Sequence, residues 1–162
     1  MSIAKFDIRQ NSNGYVINTV LQTVNVTTGT ALSGSLTAGV DAHSGLSASI
    51  TPRFASSKIA IIWTFGLQPT YNNNSATLKV FLYRSTTKIL SQSFGFHNAP
   101  SGVERYSPAQ CIQYFDSPNT TSSTEYRIYL MSTYTNTTFY VNRTYADTSG
   151  YTASCVLLEI AQ

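Results

Sequence analysis

Charge is what this sequence has least of. Asp, Glu, Lys and Arg make up 10% of its 162 positions, against about 25% in an average soluble domain. The net charge of +3 comes from scattered single residues, and without a Lys/Arg cluster there is no electrostatic footprint for nucleic acid. Long apolar runs are absent too, so no helical segment is expected to span a membrane. Met1–Asp7 has no apolar core of the secretory-signal kind, and the chain is expected to fold in a cytosol. The five Asn-X-Ser/Thr sequons, beginning at Asn25, Asn73, Asn119, Asn136 and Asn142, are then an accident of composition. Only two cysteines occur, Cys111 and Cys155, each inside a predicted strand. In a reducing compartment such thiols are expected to be buried and free; a cross-strand disulfide is the alternative.

The chemistry-bearing motifs are missing as well. No G-x-S-x-G elbow, P-loop or G-x-G-x-x-G is present, so no cofactor is expected. His43 and His97, expected in or near loops, combine with the two cysteines in none of the compact spacings of zinc sites. The seven acids, Asp7, Asp41, Glu104, Asp116, Glu125, Asp147 and Glu159, form no acid–base motif, and the carboxylate cluster of a polysaccharide-cleaving enzyme is not visible. Glu159, in the last strand, is expected to face solvent or pair with a cation such as Arg127. Asp41-Ala-His43-Ser44 unites three triad residue types, but adjacency in sequence is not triad geometry, and it reads as a polar loop. The catalytic and metal-ligand sets are therefore empty, and the chain reads as a non-enzyme.

What fills the gap is uncharged and polar. Ser, Thr and Asn take 54 positions, beside 11 Tyr and 8 Phe. This β-branched and aromatic bias suits pleated, half-buried surfaces and argues against disorder, which lacks such residues. A surface poor in charge and rich in Tyr also suits contact with partner subunits. The period is two. Leu78, Val80 and Leu82 oppose Lys79, Phe81 and Tyr83; Tyr126, Ile128 and Leu130 oppose Glu125, Arg127 and Tyr129; Phe139 and Val141 oppose Thr138 and Tyr140. In the last strand, Val156, Leu158 and Ile160 are set against Cys155, Leu157 and Glu159. Residues 59–67 are apolar on both faces, which predicts a central strand buried from both sides. Further strands are predicted at 15–26, 46–51, 88–96 and 109–115. Turn formers such as Thr28-Gly29, Gly34, Gly39, Pro52, Pro69 and Ser149-Gly150 separate them. Eight or nine strands without an amphipathic helix predict an all-β, antiparallel sandwich of jelly-roll type. No repeat of 20–50 residues suggests a solenoid.

Two organisational expectations follow. Residues 1–14 separate from a single domain at 15–162, because Asn11-Ser-Asn-Gly14 divides them from the first strand. Phe6 and Ile8, alternating with Asp7 and Arg9, make this segment either a frayed terminus or a docking arm, with Phe6, Ile8 and Arg9 as its contacts. Tyr71, Tyr106, Tyr134, Tyr145 and Tyr151 fall near strand ends beside Asn and Asp. Rings with neighbouring amides are candidates to contact a carbohydrate; the alternative is that they cap the core or pack between subunits.

Three stretches carry a family resemblance: Gly45-Leu-Ser-Ala-Ser-Ile-Thr-Pro52 with Ala55-Ser-Ser-Lys-Ile59, Val20-Leu-Gln-Thr-Val24, and Leu157-Leu-Glu-Ile-Ala161. Together they resemble a module of tailed-bacteriophage virion proteins, cyanophages included, found at the C-terminal end of tail fibres or alone as a small virion protein. The likeness brackets residues 20–161, while 68–151 match in style only. Arg53-Phe54 departs from the small polar residues usual in the family, and Phe54 offers a contact to a neighbour. The first motif has a physical rationale of its own, since Pro52 cannot donate to a ladder and so ends a strand. The resemblance implies a non-enzymatic part of a virion exterior, often a homotrimer, bound to other capsid or tail proteins. With a short arm on one compact domain, it implies a head-decorating (cement) or accessory surface protein, with a fibre tip recognising host-cell glycan as the alternative.

Overall fold

The computed structural model describes residues 19–70, 75–97, 109–134, 137–143 and 150–162. These contain ten strands: β1 (Val20–Thr28), β2 (Leu32–Leu36), β3 (Ala42–Ile50), β4 (Lys58–Thr70), β5 (Ser75–Arg84), β6 (Thr87–His97), β7 (Ala109–Asp116), β8 (Thr124–Ser132), β9 (Thr137–Val141) and β10 (Ala153–Ile160). With β2 and β9 set aside, the other eight pair in a nested order. First meets eighth (β1–β10), second meets seventh (β3–β8), third meets sixth (β4–β7) and fourth meets fifth (β5–β6), all antiparallel. A single long hairpin of eight strands gives this nesting. When it rolls up, β10 also pairs with β4 and β8 with β5, and two sheets result: β1-β10-β4-β7 and β3-β8-β5-β6. The fold is a β-sandwich with jelly-roll strand order.

Alternation builds the core between the sheets. Leu78, Val80 and Leu82 of β5 and Tyr126, Ile128 and Leu130 of β8 are buried, and they face Ile59, Ile61, Trp63, Phe65 and Leu67 of β4. Each such side chain contributes about 1.5–3 kcal/mol when fully removed from water.

Sequence reasoning missed β2. Leu32-Ser-Gly-Ser-Leu36 is short, and Gly34 reads as a turn former, yet the segment pairs with β9, which in turn pairs with Leu67–Thr70 of β4. Gly34 serves a packing need: a Cβ there would lie 2.7 Å from the Phe139 ring. The cysteines also differ from expectation. Cys155 is buried, and burial pushes its thiol up to about 12, but Cys111 is exposed. They stand on opposite faces of one sheet with β4 between them, Cys155 opposite Trp63 and Cys111 opposite Thr64. Two strand spacings, about 9.6 Å, exceed what a disulfide spans, and both thiols are free.

The largest correction concerns Glu159. It is 0% exposed and far from Arg127, which pairs with Glu125 instead. In β10 both alternating sets are largely apolar, so the sequence does not say which set points in. The register puts Ala153, Cys155, Leu157 and Glu159 inward, and a slip of one residue reverses every side chain. Glu159 then accepts hydrogen bonds from the backbone N–H groups of Arg53 (2.7 Å) and Phe54 (3.2 Å) and from Nε2 of Gln22 (2.6 Å). The same Gln22 nitrogen donates to the Thr51 carbonyl at 2.7 Å. The buried Ser57 hydroxyl faces the carboxylate without meeting full hydrogen-bond geometry. Burial by itself raises the pKa of Glu159, but these donors outweigh it and hold the carboxyl below its ordinary 4.5. The three stretches that carry the resemblance thus meet at one anion.

Glu159→Gln turns an acceptor into a donor facing N–H groups and is expected to cost about 2 kcal/mol in urea unfolding, with the m-value unchanged. Because the folded pKa is depressed, the stabilisation is complete above the unfolded pKa and is lost as pH falls through the folded value. The thermal midpoint of the native protein is therefore expected to drop as pH falls below the carboxyl's ordinary 4.5, more steeply than that of Glu159→Gln.

Candidate functional site

The outer face of the β3-β8-β5-β6 sheet gathers the charged and aromatic side chains. Strand register creates two rows. His43 of β3, Tyr129 of β8 and Phe81 of β5 form one; Ser47, Arg127, Tyr83 and Lys88 of β6 form the next. Tyr83 and Tyr129 have ring centroids 4.3 Å apart at 38°, and His43 lies 5.2 Å from Tyr129 at 45°. Asp41, just before β3, accepts hydrogen bonds from the Tyr83 hydroxyl at 2.5 Å and from Nζ of Lys88 at 2.6 Å. Nζ of Lys88 also sits 3.7 Å from the centre of the Phe81 ring, a cation–π contact. Outward-pointing Phe81 is accordingly only 3% exposed.

The electrostatics of this cluster are saturated. Burial raises the pKa of Asp41, but hydrogen bonds from Lys88 and Tyr83 prevail and leave it below its ordinary value. Burial and the bond to Asp41 raise that of Tyr83, and the bond to Asp41 raises that of Lys88. Near neutral pH the trio is one anion, one cation and one intact phenol, each engaged with the others. None is poised to take up or release a proton, which general acid–base work requires. Beside it Arg127 holds the Glu125 carboxyl low.

A second charged cluster joins the sheets. Asp116, at the end of β7, is 6% exposed. It accepts from Nη1 of Arg84 on β5 (2.9 and 3.0 Å) and from the hydroxyl of Tyr126 on β8 (2.8 Å). Burial, reinforced by the bond to Asp116, drives the Tyr126 hydroxyl far up, so it acts as a fixed donor. Arg84 also reaches the Ser117 carbonyl at 3.2 Å. Among the described residues no group of three or more His, Cys, Asp or Glu side chains is placed to hold a metal ion.

Most of the candidates chosen from sequence lie elsewhere. Phe6, Ile8, Arg9, Tyr71, Tyr106 and Tyr145 fall outside the described residues. Tyr134, 43% exposed, follows β8 in the turn to β9; its N–H donates to Ser132 Oγ at 3.0 Å. It does not join the aromatic rows. Tyr151 lays its ring over Gly66, where a Cβ would come within 2.7 Å of it. His43, expected in a loop, stands on β3, as do Ala42 and Ser44 of the supposed polar loop. A bulge between His43 and Ser47 accommodates them: Gly45 has φ +90°, and Ser44 Oγ donates to the Ile128 carbonyl at 2.8 Å. Asp41, Tyr83, Lys88 and Tyr129 were missed as a cluster. Their signal was the mixing of charge and aromatics on the outward sets of β5 and β8, but only strand order makes those sets adjacent.

No family model matches the chain. No curated protein matches it in sequence either. Among solved structures, it is similar to a chain of the infectious bursal disease virus Gx strain structure, with 11% identity and TM-score 0.46, over 98% of this chain and 42% of that one. A VP2 subviral particle of the same virus gives 11% identity and TM-score 0.44, over 91% and 40%. Dimeric latent PorU from Porphyromonas gingivalis gives 9% and 0.35, over 95% and 14%. The chain thus spans about two-fifths of the viral chains' length. Likenesses this distant bear on neither activity nor partners.

The two charged clusters are expected to differ in weight. Asp116→Ala strands a buried phenol and a partly buried guanidinium and should cost about 3 kcal/mol. Asp41→Ala breaks a partly exposed pair at the sheet surface and should cost about 1 kcal/mol or less. Parallel denaturant melts of the two variants measure the difference.

Proposed function

We propose that this chain is a non-enzymatic structural protein of a tailed-phage virion exterior. It would be a head decoration (cement) or accessory surface protein that self-associates and docks on capsid or tail proteins through residues 1–14. The observation that carries this reading is the convergence at Glu159. Gln22, the Pro52–Ser57 corner and the C-terminal strand, which lie in the stretches resembling the phage module save for the departing Arg53-Phe54, form one hydrogen-bonded unit in which those two residues donate through backbone N–H groups. The resemblance therefore falls on a shared structural joint, and a joint of this kind suits a building block. The charged clusters agree, since their side chains are engaged with one another, and the Arg84–Asp116 and Lys88–Asp41 pairs join different strands or sheets. Phe6, Ile8 and Arg9 are the proposed docking contacts.

A second reading has its own support. Tyr83 and Tyr129, half-buried and ringed by Asp41, Arg127 and Lys88, offer ring faces and directional hydrogen bonds of the kind glycans use. With Tyr71, Tyr106, Tyr134 and Tyr145 as further candidates, the chain would then be a fibre tip binding host-cell glycan.

Deletion of residues 1–14 is expected to leave a folded domain with an unchanged melting curve that no longer co-purifies with particles. Particles that carry the truncated chain at the normal level would rule out docking by this segment. A glycan array separates the two readings, because a decoration protein should retain no sugar on it.

A further inference from the structure

The two outer faces of the sandwich are chemically opposite. The outer face of β3-β8-β5-β6 carries Lys79, Lys88, Glu125 and Arg127, with Asp41 at its margin. On the outer face of β1-β10-β4-β7 the register sets Leu158, Ala60 and Phe115 in one row and Val156 and Ile62 in the next, with Val20 and Ile160 beyond. Lys58 is the only charged residue among the outward positions of these four strands. Phe115 is 66% exposed and Val20 49%. The apolar character of β4 on both sides predicts burial from both sides, yet Ile62 is only half-buried among the described residues.

We infer that this face is the contact between copies of the chain. Strands about 4.8 Å apart and outward side chains about 6.7 Å apart make a patch roughly 15 Å wide and 20 Å long. That area reaches the size of the largest apolar patch on a typical monomer, where such patches are often functional. It falls short of the roughly 800 Å² per partner in a standard interface, and the surroundings supply the remainder. Thr23, Asn25, Thr27, Thr64, Ser154 and Gln113 border the patch, giving an apolar centre and an uncharged polar rim, the anatomy of a protein interface. A second copy is the occupant that the charge pattern favours. Among the described residues the face presents nothing for an ionic partner to pair with beyond one lysine, and meeting itself it brings no carboxylates together and only one lysine from each copy at its border. The inference rests on the self-association within the proposed function, and it names the surface responsible. It holds or fails in purified protein, whether or not the chain belongs to a virion.

The test is the mass of the full-length chain by sedimentation or light scattering, from about 1 to about 100 µM, as native protein and as Phe115→Glu, Val20→Glu and Lys88→Glu. Phe115 and Val20 are exposed, so their replacement spares the core, and a circular dichroism melt checks folding. Native protein and Lys88→Glu should run as a multiple of 17.7 kDa. Phe115→Glu, which puts a charge in place of the most exposed large apolar side chain of the face, should weaken association about 100-fold, and Val20→Glu less, since the side chain it removes is smaller. Thiol labelling of Cys111, which lies on the same face, should be faster in Phe115→Glu than in native protein. A native chain that stays at 17.7 kDa throughout overturns the inference, whether residues 1–18 or another partner cover the face. Folded Phe115→Glu that associates like native protein, or dissociation caused equally by Lys88→Glu, overturns it as well.

Discussion

A carboxylate sealed among neutral donors holds the order of this sandwich. Among the described residues Glu159 has no cation paired with it, and its charge is balanced by N–H groups of Gln22, Arg53 and Phe54. Burying an anion this way is tolerable only while every donor is in place. The arrangement therefore fixes three segments at once: the first strand, the β3–β4 corner and the last strand. It also sets which side of β10 faces the core, since Glu159 reaches the corner only if Cys155 and Leu157 point inward with it. At β7, Asp116 ties Arg84 and Tyr126 across from the opposite sheet. Hydrophobic burial supplies most of the stabilisation, but these two carboxylates specify register and sheet-to-sheet alignment.

Turning Glu159 inward has a cost on the other side. With Cys155, Leu157 and Glu159 in the core, Val156, Leu158 and Ile160 stand outside, beside Ala60, Ile62 and Phe115. Charge is withdrawn from this sheet and concentrated on the opposite one, where Asp41, Lys88, Glu125 and Arg127 are tied up in pairs. One outer surface is thus suited to water and the other to protein. The low charge of the whole sequence is largely a property of one sheet, and the proposed contact between copies gives that sheet a partner.

Strand existence was legible because alternation reports it directly: Leu78, Val80 and Leu82, or Tyr126, Ile128 and Leu130, point inward as the pattern requires. Jelly-roll class followed from short strands, turn formers and the lack of helices. Alternation failed where it was ambiguous. Leu32–Leu36 is too short and too rich in Gly and Ser to read as a strand until Phe139 is seen against Gly34. In β10, with both faces apolar, the lone acid invited the wrong orientation. Of the candidate ligand-contacting tyrosines, only Tyr134 and Tyr151 lie within the described residues, and neither joins the aromatic rows. The Asp41–Tyr83–Lys88 cluster escaped because its members are up to 47 positions apart in the numbering and share a site only through strand order.

Composition and period two by themselves determined that this chain makes strands, that they alternate between core and surface, and that few ionisable groups are available for chemistry. Those are local properties, set by side-chain type and the pleat of extended backbone. Only the tertiary structure decided which strands are neighbours, which face of β10 is inward, and that Glu159 and Asp116 are internal clamps. These depend on contacts between residues as far apart as Gln22 and Glu159, and pairing over such distances is fixed by how the long hairpin rolls up.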